Sequence, residues 1–197
     1  MNTANRQLYN PSDSQRWAAL QEVLYEIDML VNVPKLPFEN YFVRNAFLES
    51  RLLHTRNLMD FFERKKRTTR RGKLPRSAVE NDDVLASDYN FPLAGQDIGI
   101  SKFDKERLNK ALAHITYERI TYRSQHNMVW PYDTTLRPVL LVCQKFLEHL
   151  RDGFLKDQEG EDKETVIRLL SEIDAGLQPK QSLQFHNVVA ATTAGHI

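Results

Sequence analysis

Pro11-Ser-Asp-Ser-Gln-Arg-Trp17-Ala-Ala-Leu20-Gln-Glu-Val-Leu24-Tyr-Glu-Ile27-Asp-Met-Leu-Val31 is the stretch from which the fold can be read. Trp17, Leu20, Leu24, Ile27 and Val31 recur at alternating steps of three and four, which places them on one stripe of an α-helix. Ser12 and Ser14 are the two N-cap candidates, because a serine hydroxyl can accept from an otherwise unpaired N–H of the first turn. Pro34 and Pro37 end the helix and set a turn.

The same period continues outward along the chain. A second helix is expected from about Phe38 to about Arg67, with Phe42, Phe47, Leu52, Leu53, Leu58, Phe61 and Phe62 as its apolar residues. Ser101-Lys-Phe-Asp104 resembles a capping box and opens a third helix, whose apolar side is Phe103, Leu108, Leu112, Ile115 and Tyr122. Trp130-Pro131 closes the turn after it. A fourth helix is expected from about Thr134 to Phe154, carrying Leu136, Leu140, Cys143, Leu147, Leu150 and Phe154, with Pro138 tolerated in its first turn. A fifth, Asp162 to Ala175, turns Val166, Leu169, Leu170 and Ile173 inward, with Gly176 as its stop. Residues 82–100 have no clear period and read as a packed loop with one short helical turn. A connection of that length inside a compact domain is often functional. Four to five amphipathic helices, each with a stripe to bury, make an all-α helical bundle the expected fold class. One domain over residues 1–176 is expected, followed by an extended or disordered tail over 177–197.

Composition narrows the function classes. The chain has 197 residues, 41% of them hydrophobic and 27% charged, which is ordinary for a globular domain with a real core. Its formal charge of +1 gives no global field that would attract nucleic acid, so such a partner needs a local patch. The N-terminus is polar, without the apolar core of a signal peptide, and no stretch approaches the roughly 20 apolar residues that span a bilayer. The single cysteine, Cys143, fits a reducing compartment. A cytoplasmic, soluble protein with no membrane partner is therefore expected.

Several sites are excluded by spacing. The six histidines show no zinc-site pattern, and no glycine-rich phosphate loop, dinucleotide fingerprint or nucleophile elbow is present. No metal or cofactor is expected. Two constellations remain. Arg107 and His114 stand seven positions apart, about two helical turns, so they share one face. An imidazole beside a permanent guanidinium suits metal-free RNA cleavage: the histidine as general base or acid, the arginine stabilising charge on the phosphate. The same pair also fits a structural role, with His114 bonded to a neighbouring helix. On the second helix, Glu49, His54, Arg56 and Asp60 form a polar cluster that faces Arg107 and His114 if the two helices pack side by side. A polar network fixing helix register explains that cluster equally well. The basic run from Arg64 to Lys73, including Arg67, Arg70 and Arg71, reads either as a solvated loop offset by Glu80, Asp82 and Asp83, or as a phosphate-contacting loop.

Three blocks carry a resemblance. They are Phe47-Leu-Glu-Ser-Arg-Leu-Leu-His-Thr-Arg-Asn-Leu-Met-Asp-Phe-Phe62, Asp82-Asp-Val-Leu85 and Arg107-Leu-Asn-Lys-Ala-Leu-Ala-His-Ile-Thr-Tyr117. In this order they resemble a group of small bacterial proteins similar to the HEPN superfamily of helical bundles. Many members of that superfamily are metal-independent RNases of toxin–antitoxin, abortive-infection and CRISPR systems. Their signature is an arginine followed a short interval later by a histidine, which Arg107 and His114 fit at the long end. The resemblance implies a homodimer that brings two such motifs together, with RNA as substrate and a cognate antitoxin or other protein as partner. The position after the arginine is usually polar in that superfamily; here it is Leu108, with Asn109 one place later. A non-catalytic interaction module that binds a protein or a nucleotide is the alternative.

Overall fold

The computed structural model describes residues 10–37, 40–64, 83–113 and 130–177, with side chains as far as Asn109 in the third of these stretches. It is an all-α bundle, and no β-strand occurs among the described residues. The described residues form five α-helices: α1 (Asp13–Asn32), α2 (Tyr41–Glu63), α3 (Lys102–Ala113), α4 (Arg137–His149) and α5 (Glu161–Leu177).

Local chemistry sets the starts of these helices. Ser12 is the N-cap of α1: its hydroxyl accepts from the Gln15 N–H at 3.2 Å, and the Gln15 side chain accepts from the Ser12 N–H at 2.9 Å. A single 3₁₀ turn containing Pro34, Val33–Lys35, then turns the chain towards α2. Asn40 caps α2 through the Val43 N–H at 3.1 Å. At α3 the Ser101 hydroxyl accepts from the Asp104 N–H at 3.0 Å and donates to its carboxylate at 2.8 Å, so aspartate completes the expected capping pair. α4 is longer than its regular part, because π-helical turns at Tyr132–Leu136 and Leu150–Phe154 extend it at both ends.

The helices close a ring. α1 packs on α2 and α5, α4 packs on α5 and α2, and α3 lies on α2 outside that ring. Polar contacts give the directions. Gln21, Asp28 and Asn32 of α1 meet Asp162, Arg168 and Glu172 of α5 in the same order, so these two helices run parallel. Lys105 reaches Glu63 and Asn109 reaches Arg56, so α3 runs antiparallel to α2. The interior is mainly apolar: Leu20, Ile27, Leu30, Leu52, Leu58, Phe62, Phe146, Leu147, Val166 and Ile173 are all fully or almost fully buried.

Residues 83–100 close one end of the bundle. Their single 3₁₀ turn, Ala86–Tyr89, matches the expected short helical turn. Tyr89 and Phe91 join Phe61 and Phe62 around Phe146, whose ring centroid lies 5.2–5.7 Å from those of Phe61, Phe62, Tyr89 and Phe91 in tilted or edge-on geometry. The loop is pinned by backbone as well. The Tyr89 hydroxyl donates to the Arg16 carbonyl at 2.9 Å, and the Gly95 N–H donates to the Phe62 carbonyl at 2.7 Å. Gly95 has φ of 77°, in the left-handed region where a side chain is strained.

Three expectations need correction. Phe42 and Leu53 are 79% and 43% exposed rather than buried. The inward face of α2 instead follows Leu48, Leu52, Thr55, Leu58, Met59 and Phe62, because α1 covers the helix on a stripe rotated away from both residues. Phe103 is 46% exposed, since it sits in the first turn of α3, ahead of the buried Arg107 and Leu108. Gly176 does not stop α5, which runs on to Leu177; the Gly176 carbonyl accepts from the Tyr132 hydroxyl, and Leu177 packs against the core. Leu112, Ile115, Tyr122 and the expected tail from 178 lie outside the residues whose side chains are described.

Candidate functional site

Arg107 is 4% exposed. Its Nη1 is 3.1 Å from a carboxylate oxygen of Asp104, one turn back on α3 and 7% exposed itself. The central carbon of the guanidinium lies over the Trp130 ring at 4.1 Å from its centroid, with the Phe103 ring at 5.5 Å. A desolvated cation–π contact of this kind contributes about 2 kcal/mol. The next residue, Leu108, is fully buried. Arg107 and Leu108 therefore face the interior, while Asn109 is exposed and accepts from the Arg56 Nε at 2.8 Å. His114 lies outside the described residues.

The polar cluster of α2 is divided among three neighbours. His54, 6% exposed, pairs through Nδ1 with Glu26 of α1 at 2.7 Å, and Asn57 donates to the same carboxylate. Arg56 bonds Asn109 of α3. Asp60 takes Arg64 at 2.8 Å, and Arg64 also reaches Asp83 at 2.7 Å. Glu49 is exposed to solvent. So α2 does pack beside α3, but of this cluster only Arg56 makes a described polar contact with it. The His54 and Arg56 bonds tie α2 to α1 and α3, Asp60 and Arg64 pair at the end of α2 itself, and among the described residues these contacts do not converge on one another. Arg67, Arg70 and Arg71 lie outside the described residues.

Three features carry no sequence-based expectation. One is a groove of about 390 Å³ between the 93–98 loop and the start of α4. Leu93, Ile98, Leu141 and Val142 are its apolar lining, and its charged lining is two bases, Arg137 and Lys145, with two acids, Asp97 and Asp133. The loop side is held by Lys105, which pairs with Glu63 at 2.7 Å and with Asp97 at 3.1 Å. The others are Arg51 and Thr135, both buried, which keep side-chain atoms without a hydrogen-bond partner. The signal for Arg51 was present in the sequence: it falls next to Leu52 on the stripe that also holds Leu48 and Thr55, a cation at a core position.

No group of three or more His, Cys, Asp or Glu side chains suited to a metal ion occurs among the described residues. His149 is bonded through Nε2 to the Tyr89 carbonyl at 2.9 Å. Cys143 is fully buried, and burial pushes its thiol far above the usual range. No described helix is long and apolar enough to cross a membrane. Comparison of the chain with protein-family models, curated proteins and solved structures finds no match.

Proposed function

We propose that this chain is a HEPN-like helical binding module that does not cleave RNA. The observation that carries this reading is the position of Arg107. To stabilise charge on a reacting phosphate, an arginine must open onto a space the substrate can enter. Arg107 is 4% exposed, its charge is paired with Asp104, and its guanidinium lies against the Trp130 ring. Turning it outward would strand a buried carboxylate, at a cost of about 3 kcal/mol. Leu108 supports the same reading, because the position that is usually polar in catalytic relatives is here fully buried.

In this reading the module works in the cytoplasm as a homodimer, with a cognate antitoxin or an RNA as its bound partner. The groove over Leu93, Ile98 and Leu141 offers such a partner an apolar surface with charges of both signs beside it, Arg137 and Lys145 with Asp97 and Asp133.

The test is incubation of mixed RNA with full-length protein in EDTA, comparing wild type with His114→Ala. Neither protein is expected to cleave at micromolar concentration. Cleavage by wild type that His114→Ala abolishes overturns the proposal and restores the Arg107/His114 pair as an active site.

A further inference from the structure

Arg51 is the counter-example to every other well-buried cation in the described structure. It sits in the middle of α2 and is 8% exposed, yet among the described residues no carboxylate lies within ion-pairing distance of it. Its Nε is fully buried and has no hydrogen-bond partner. The titratable group that acts on it is Tyr132, whose hydroxyl is already committed to the Gly176 carbonyl. Loss of hydration pulls the Arg51 pKa down to about 10, which still leaves it charged at neutral pH. On the same turn as Tyr132, the Thr135 hydroxyl is also buried without a partner.

An ionised side chain withdrawn from water and left unpaired is strongly unfavourable. Proteins neutralise such groups with a carboxylate, as Arg107 is neutralised by Asp104. Where no internal carboxylate is supplied, an anion from solution can take the role. A guanidinium presents a planar fork of N–H donors that fits two oxygens of one phosphoryl group, and it has no acceptor of its own. A serine or threonine hydroxyl is a natural third donor to such a group.

We propose that Arg51 anchors an internal site for a phosphoryl oxyanion, beside the Tyr132–Leu136 turn that carries the unpartnered Thr135 hydroxyl. The inference goes beyond the binding-module reading and does not depend on Arg107. Free phosphate and the phosphate of a nucleotide share the chemistry required, so the experiment includes both.

Full-length wild type, Arg51→Lys, Arg51→Met and Thr135→Val are titrated calorimetrically in chloride buffer with inorganic phosphate and, separately, with a nucleoside monophosphate. In parallel, the Arg Nε–H signals are followed by NMR. Wild type is expected to bind at least one of the two at millimolar concentration or tighter, with the Arg51 Nε–H signal moving on saturation. Arg51→Met abolishes that binding. Arg51→Lys, which keeps charge but loses the fork, weakens it about tenfold or more, and Thr135→Val weakens it several-fold. Arg51→Met is expected to fold, since a buried apolar replacement of a cation is often neutral or stabilising; if it does not, the Arg51→Lys and Thr135→Val titrations decide alone. Binding of the nucleotide without free phosphate assigns the ligand and supports the site. No binding of either ligand by wild type, or equal binding by wild type and the Arg51 variants, overturns it.

Discussion

Arg107 and Arg51 are both arginines turned into the bundle, and the difference between them is what faces the guanidinium. Asp104 and Trp130 lie against Arg107, whereas the titratable group that acts on Arg51 is the Tyr132 phenol, whose proton is already donated elsewhere. The first charge is matched by a carboxylate within the fold; the second, on our proposal, is matched by a bound anion. Cys143 shows the same logic for a thiol. It is fully buried on α4, and burial holds its pKa far above neutrality, so little of the reactive thiolate exists in the native state. An aromatic disulfide reagent at pH 8 should leave Cys143 untouched in native protein and label it once denaturant is added. Native labelling at the unfolded rate would contradict the burial. At this scale the sequence was legible for Cys143, which lies on an apolar stripe, but not for Arg107. Seven-residue spacing shows that Arg107 and residue 114 share a face; it does not show whether that face points into the bundle. Trp130, which lies outside α3, helps to settle that.

At the scale of elements, α1 and α5 are joined along their polar edges as well as by their cores. Asp28 and Arg168 pair at 2.8 Å, and Asn32 and Lys35 extend the contact to Glu172. The bond from Arg168 holds the Asp28 carboxyl below its ordinary value of 3.8. A carboxyl depressed in the folded state adds stability above its unfolded pKa and loses it as pH falls through the folded one. Asp28→Asn should therefore destabilise the protein at pH 7 and approach wild type at an acid pH below the depressed folded value. Both side chains are more than a third exposed, so the difference at pH 7 should be only about 0.5 kcal/mol. Denaturant unfolding at the two pH values measures it, and a difference that grows on acidification would refute the pairing. The helices themselves were readable from period and caps: the Ser12 cap, the Ser101–Asp104 pair, and the inward sides of α4 and α5 all follow from local rules. The rotation of α2 was not. Phe42 and Leu53 fit an apolar pattern, but which stripe of a helix is buried depends on where its neighbour lies. His54 and Thr55, the polar residues it buries instead, carry no hydrophobic signal.

At the scale of the whole molecule, four helices close around one core and α3 is added to the outside of α2. Its described attachments are Lys105 to Glu63, Asn109 to Arg56, the burial of Leu108, and the Arg107–Asp104–Trp130 group. The first two are polar bonds reached by flexible side chains and are individually weak. The arginine group is desolvated and joins α3 to the residues that lead into α4. If Arg107 belongs to the core, it is felt in the global unfolding of the protein; if it belongs to an open active site, it is not. The most direct test is equilibrium denaturant unfolding of Arg107→Ala beside wild type. We expect a loss of about 3 kcal/mol with the denaturant slope unchanged, because Asp104 is left buried without its cation. A variant within about 0.5 kcal/mol of wild type, as for an ordinary surface substitution, would contradict a structural Arg107 and favour the nuclease reading.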